Sequence, residues 1–242
     1  MQEKIKGIVL NVRKYNDRNN IVTLYTSTRG RLSFISPIGT GRASNARRAR
    51  LQILSVISTE LNFKSTSDLQ RLGSITLERV WNDIYFHPVK RAEVIFLSEF
   101  LYRLLNAAMP DESLWNYIYD SLILLDGLKK GIEDFHISFL ISLLPHMGIQ
   151  PELSGYGEDK VFDFAAGGFV SSFDARGPVL VGEEAKAVVW VNRINFYNIS
   201  RIRLTGMERQ TILSRLISYY SYHYPGLSSM ISPEILHDIF KL

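Results

Sequence analysis

Between Gly39 and Arg50 four arginines, Arg42, Arg47, Arg48 and Arg50, crowd into a stretch that holds no acid. A guanidinium is a planar fork of donors that matches phosphate oxygens two at a time. On a connection between strands, such a cluster can hold a phosphate backbone. The alternative is a solvated charged turn with no ligand, so the stretch needs support from elsewhere. Its opening residues, Gly39, Thr40, Gly41, Ser44 and Asn45, are small and turn-forming, which predicts a flexible basic loop. Whether that loop is ordered without a ligand stays open. Arg13, Lys14, Arg29 and Arg31 lie on neighbouring segments and would support it.

Other chemistries find little to stand on. Cysteine is absent, which removes thiolate nucleophiles, disulfides and thiolate metal sites, and fits a reducing compartment. Gly39-Thr40-Gly41 lacks the Gly-Lys-Ser/Thr ending of a nucleotide loop. There is no Gly-x-Ser-x-Gly elbow. The five histidines (His87, His136, His146, His223, His237) are scattered, and His136 and His146 do not share a helix face. Glu133-Asp134, Glu158-Asp159 and Glu183-Glu184 are adjacent acids of the kind that open helices. They do not resemble a spaced catalytic pair. The residues describe a binding protein with no catalytic site, no metal and no cofactor.

Charge is distributed unevenly. Residues 1–80 carry 14 Lys+Arg and 5 Asp+Glu, a net of +9, while residues 81–242 carry 14 and 19, a net of −5. A basic first third joined to a mildly acidic remainder suggests a polyanion-binding module attached to something with another task. Hydrophobic residues make up 46% of the 242, enough for a core. The N-terminus opens with charges and has no apolar signal region. No apolar run is long enough to span a bilayer, so a cytoplasmic protein without membrane contact is expected.

The elements that must position the arginines read as a small barrel. Ile5–Val12, Ile21–Thr26, Leu32–Ile35, Leu51–Ser58 and Leu61–Lys64 are strand-like. Thr28-Arg29-Gly30-Arg31 reads as a hairpin turn with Gly30 at positive φ. Residues 68–80 fit a strand or a short helix. Five short strands in this length predict a closed barrel of the OB type, which binds oligonucleotides on a strand face. Tyr25 and Phe34 suit its core, and Tyr15, in a polar turn, suits base stacking.

Past a boundary near residue 80 the pattern turns helical. Val89–Ala108 is amphipathic, and further helices follow to Gly127, from Asp134 to near Gly148, and over Glu183–Trp190. Thr205-Gly206-Met207-Glu208 is a capping box, and Ser232-Pro233 opens the last helix. The fold class is α+β: an N-terminal OB-fold domain over 1–80, then a helical domain over 81–242 with an irregular hairpin around 153–180.

Gly7-Ile8-Val9-Leu10-Asn11-Val12-Arg13-Lys14-Tyr15 resembles the opening of the bacterial RecO family of DNA repair and recombination mediators. Ile21-Val22-Thr23-Leu24-Tyr25-Thr26, Gly30, the basic stretch and Leu51-Gln52 continue the likeness in order. Leu143-Leu144-Pro145-His146-Met147-Gly148-Ile149-Gln150-Pro151-Glu152-Leu153 is similar to a later family signature. Phe162-Asp163, Gly167-Gly168-Phe169 and Leu227-Ser228-Ser229 follow it. The resemblance implies binding of single- and double-stranded DNA at the nucleoid. It also implies annealing of strands coated by single-stranded-DNA-binding protein, and help in loading RecA. Two protein partners follow from it: RecR, and the acidic, apolar C-terminal tail of the single-stranded-DNA-binding protein. For that tail, Lys90, Arg91, Arg103, Arg209 and Arg215 are basic candidates on the helices. Many family members hold zinc with cysteine pairs around the hairpin. This chain has none, so packing of Tyr156, Phe162, Phe164, Phe169 and Phe173 is expected in its place. An RNA-binding OB protein without a recombination role is the rival reading, and a metal-dependent hydrolase is a weaker third.

Overall fold

A computed structural model describes residues 2–240. The chain divides into two compact units, Met1–Gly127 and Leu128–Leu242. Residue 80, where strand patterning gives way to helix, lies inside the first.

In the first unit β1 (Gln2–Lys14), β2 (Asn19–Thr26), β3 (Gly30–Pro37), β4 (Val56–Asn62), β5 (Leu69–Arg71) and β6 (Ile75–Leu77) form one sheet. Its order is β5-β3-β2-β1-β4-β6. The long β1 serves two partners: its second half pairs with β2 and its first half with β4. A register shift between Val9 and Asn11 bends it there. Val9, Val22, Leu24, Phe34, Ile57, Leu61, Leu72 and Ile75 share one core, so the sheet curls around them. β5 and β6 pair with β3 and β4 respectively, not with each other. The result is an OB-like half-barrel, open at the seam where a closed barrel was expected. Three-residue strands are too short to complete the ladder.

Two local readings change. The strand expected from Leu51 begins only at Val56. Leu54 has a φ of 60°, its N–H donates to Val9 O at 2.7 Å, and its carbonyl accepts from Trp81 Nε1 at 3.2 Å. The basic stretch is not a loop but a helix, α1 (Arg42–Arg50). Gly30 does stand at positive φ, 64°, and a Cβ there would strike the Ala108 carbonyl.

α2 (Pro88–Leu104) and α3 (Glu112–Gly127) belong to the same unit. Pro88 opens α2 at its first turn. Ser98 Oγ donates to Leu10 O at 2.6 Å, fastening α2 to β1.

The second unit contains α4 (Phe135–Leu143), the strands β7 (Lys160–Asp163), β8 (Gly168–Ser171) and β9 (Val179–Leu180), then α5 (Gly182–Val191), α6 (Gly206–His223) and α7 (Ser232–Phe240). Thr205 and Glu208 form the expected capping box at the start of α6. Near its other end, Tyr219, Tyr220 and Tyr224 donate to the carbonyls of Ile149, Leu140 and Met147 at 2.7–2.9 Å. The bonds to Ile149 and Met147 fix the Leu143–Leu153 segment, and the bond to Leu140 ties α6 to α4.

Candidate nucleic-acid interface

Apart from Ser44 and Asn45, every residue of α1 is alanine or arginine, both strong helix formers. The helix nonetheless has no buried residue, no side-chain cap and no acid in its first turn. A nine-residue helix of that kind is marginal alone. Arginine supplies the missing anchorage. Arg47 donates to Ser36 Oγ at 3.2 Å, Gly73 O at 3.1 Å and Leu72 O at 2.9 Å. Arg50 donates to Ile75 O at 3.0 Å. These two lie three apart, on one helix face. Burial pushes the Arg47 guanidinium pKa below its ordinary value.

Arg42 and Arg48 behave differently. Both are exposed, and among the described residues neither side chain has a hydrogen bond or an ion pair. The four arginines thus split into two that hold the helix and two that it presents.

The supporting cations also divide. Arg29 pairs with Glu3 at 2.5 Å and lies 4.2 Å from the centre of the Phe63 ring. Arg31 stacks on Tyr102 at 4.4 Å and donates to the Tyr102 carbonyl. Burial lowers its pKa, and the like charge of Arg13 lowers it further. Lys14 makes an exposed pair with Asp17 at 2.7 Å, which costs little to exchange. Arg13 is exposed with no carboxylate partner among the described residues. Arg13, Lys14, Arg42 and Arg48 therefore offer charge outward. Tyr15, next to Lys14 in the chain, is 56% exposed, whereas Tyr25 and Phe34 are fully buried.

The helical cations weighed for a peptide tail are mostly engaged. Lys90 is 0% exposed, held by Asp83 at 2.7 Å and Asp126 O at 2.8 Å. It cannot meet a partner. Arg103 pairs with Glu99 at 2.9 Å. Arg209 pairs with the buried Asp134 at 2.7 Å. Arg91 is exposed. Arg215, paired with Glu184, borders an apolar cleft of about 290 Å³ lined by Ile141, Phe162, Val188, Ile212 and Leu216.

The hairpin is held by aromatic packing and one carboxylate. Phe162 packs against Phe169 and Phe164, and Tyr156 against Phe169, with centroids 5.2–6.2 Å apart. Phe173, expected in this group, is 97% exposed. Asp163, marked in the sequence only as part of the Phe162-Asp163 motif and given no role there, is buried and accepts from Ala165, Arg176 and Gly177 N–H at 2.9–3.0 Å. Burial pushes its pKa up, but those backbone donors outweigh it and hold the carboxyl below the usual range. Its stabilisation is full above the ordinary carboxylate pKa and is lost as pH falls through the native value. Asp163→Ala should cost the second unit about 2–3 kcal/mol at neutral pH, read by denaturant unfolding. A loss that is unchanged at acidic pH would contradict this. Among the described residues, no group of three or more His, Asp or Glu is placed to hold a metal ion, and no helix is long and apolar enough to cross a membrane.

A curled six-stranded sheet with outward-facing arginines, followed by helices, defines an OB-like half-barrel protein with a basic face. Two family models match the chain: Recombination protein O N terminal over residues 1–80 and Recombination protein O C terminal over residues 88–229. It is similar to the DNA repair protein RecO of Phocaeicola vulgatus, 30% identical over 241 residues and covering 100% of both chains. It also resembles that of Porphyromonas gingivalis, 30% identical over 239 residues, covering 97% of this chain and 98% of the relative. The chain belongs to the Recombination protein O family.

Proposed function

We propose that residues 1–80 bind single- and double-stranded DNA by the phosphate backbone, and that the whole chain anneals complementary strands and assists RecA loading onto strands coated by single-stranded-DNA-binding protein. Family membership supports a role in DNA repair and recombination. The observation that carries the backbone reading is the pairing of roles on α1: Arg47 and Arg50 pin the helix, and Arg42 and Arg48 stand free. Contacts of this type are independent of sequence and sensitive to salt.

Annealing then needs no bond to be broken. Two strands repel through their phosphates. A cationic surface that binds both lowers that repulsion and raises their local concentration. The protein would act in the cytoplasm, at the nucleoid, with RecR and the tail of the single-stranded-DNA-binding protein as partners through residues 81–242. The cleft beside Arg215 suits the apolar end of such a tail, and its carboxylates would compete with Glu184 for the guanidinium.

The test is annealing of two labelled complementary strands, each coated with single-stranded-DNA-binding protein. Addition of this protein should accelerate duplex formation without Mg²⁺ or ATP. No acceleration, or acceleration only of complementary RNA, would defeat the reading. Tyr15 gives a finer check. Tyr15→Ala should weaken single-strand binding by about 1–3 kcal/mol, the usual worth of one stacked base, and leave duplex binding unchanged. Equal loss on both substrates would mean that Tyr15 stacks on nothing.

A further inference from the structure

We propose that Arg71 and Arg18 join Arg13 and the free arginines of α1 in one continuous phosphate-binding track across the half-barrel. The inference rests on the DNA-binding reading above and extends it to two residues outside the basic stretch.

Strand register supplies the first argument. Arg13 pairs with Ile21, Ile21 with Ile35, and Ile35 with Arg71. Directly paired residues share a face of the sheet. The neighbouring row, Val12, Val22, Phe34 and Gln70, faces inward, since Val22 and Phe34 lie in the core. Arg13 and Arg71 are therefore the two exposed ends of one row on the opposite face, whose middle residues Ile21 and Ile35 are buried and half-buried. Three interstrand steps separate them, about 14 Å. That is the rise of about four nucleotides along a duplex strand.

Backbone bonds bring the row to α1. Arg71 precedes Leu72, whose carbonyl receives Arg47 at 2.9 Å. Ile38 N–H donates to the Arg18 carbonyl at 2.7 Å, so the β1–β2 turn lies beside the segment that leads into α1. Arg71 thus adjoins the segment that receives α1, and Arg18 is bonded through its carbonyl to the segment that leads into it.

Charge supplies the second argument. Arg13, Arg18 and Arg71 are exposed and have no carboxylate partner among the described residues. Asp17 is occupied by Lys14, Glu3 by Arg29, and Glu78 by Lys6 at 2.9 Å, while the exposed Asp68, three residues before Arg71, has no ion pair among the described residues. Arg13 also acts on Arg31, a like charge fixed in place by Tyr102. A band of cations without counter-ions creates a positive potential that an external polyanion would neutralise. The phosphate backbone fits, because its charges repeat along the length of the band.

The experiment is an anisotropy titration of a labelled oligothymidine with the full chain across a salt series. R71Q and R18Q should each reduce the slope of log K against log salt by about 0.7, and the double variant by about 1.4. R71K should keep the slope of the unaltered protein. R203Q makes the same charge change at an exposed position outside residues 1–80 and should leave the slope alone. If R71Q and R18Q instead match R203Q while R42Q/R48Q loses slope, DNA contacts α1 alone and the track is overturned. If the unaltered protein shows no salt-dependent binding, the DNA-binding reading itself fails, and the track with it.

Discussion

Reversal of Arg42 and Arg48 to glutamate should remove most single-strand affinity at low salt while leaving the fold intact. Each lost phosphate contact lowers the salt slope by about 0.7, so neutralisation alone accounts for about 1.4. Reversal adds repulsion and should push the loss in affinity past about a hundredfold near 50 mM salt. Both side chains are exposed and have no hydrogen bond or ion pair among the described residues, so unfolding should be unchanged. Arg47→Ala should do the reverse. It forfeits three donor contacts to the half-barrel, a cost of about 2 kcal/mol, and releases α1. Its effect on DNA would come through a disordered helix. A variant altering all four arginines would mix these effects. Equal binding by the Arg42/Arg48 variant and the unaltered protein would remove α1 from the interface.

Asp126→Ala should destabilise the first unit by about 3–5 kcal/mol. The Asp126 carboxylate accepts from the N–H groups of Asn82, Asp83 and Ile84 at 2.8–3.1 Å. Its carbonyl accepts from Lys90, whose ammonium also pairs with Asp83. One acid thereby orders the turn between β6 and α2 and helps neutralise a fully buried lysine. Truncation leaves three donors without an acceptor. Burial raises the Asp126 pKa, but the backbone donors and Lys90 more than offset this, so the native value is low. The stabilisation should persist above the ordinary carboxylate pKa and disappear as pH falls through the native one. Denaturant unfolding at neutral and acidic pH, followed through Trp81 and Trp115 in a Trp190→Phe background, measures both effects. A cost below about 1 kcal/mol at neutral pH would show that water replaces the carboxylate.

Features with a local cause were legible in the chain. Gly30 needs positive φ at its turn, Pro88 suits a first helical turn, and Thr205 and Glu208 cap each other across three residues. Alternation marked β2, and helical periodicity marked α2. Features decided at a distance were not. α1 has no apolar face, so no hydrophobic period announced it, and its glycine-rich lead-in reads as loop. Arg47 and Arg48 are neighbours in sequence, yet one faces the carbonyls of Leu72 and Gly73 and the other faces outward. No composition rule separates them. Lys90 reads as a surface cation because its partner Asp126 lies 36 residues away. Arg71 was hidden in a stretch whose strands are three residues each, too short to show a period.

The most direct measurement is the salt dependence of single-stranded DNA binding by the unaltered chain. Arg13, Lys14, Arg42 and Arg48, extended by Arg18 and Arg71, predict a slope of log K against log salt between about −3 and −4. The Arg42/Arg48 reversal should make that slope visibly shallower. A slope near zero, or one that the reversal leaves untouched, would contradict a phosphate-binding face built on α1.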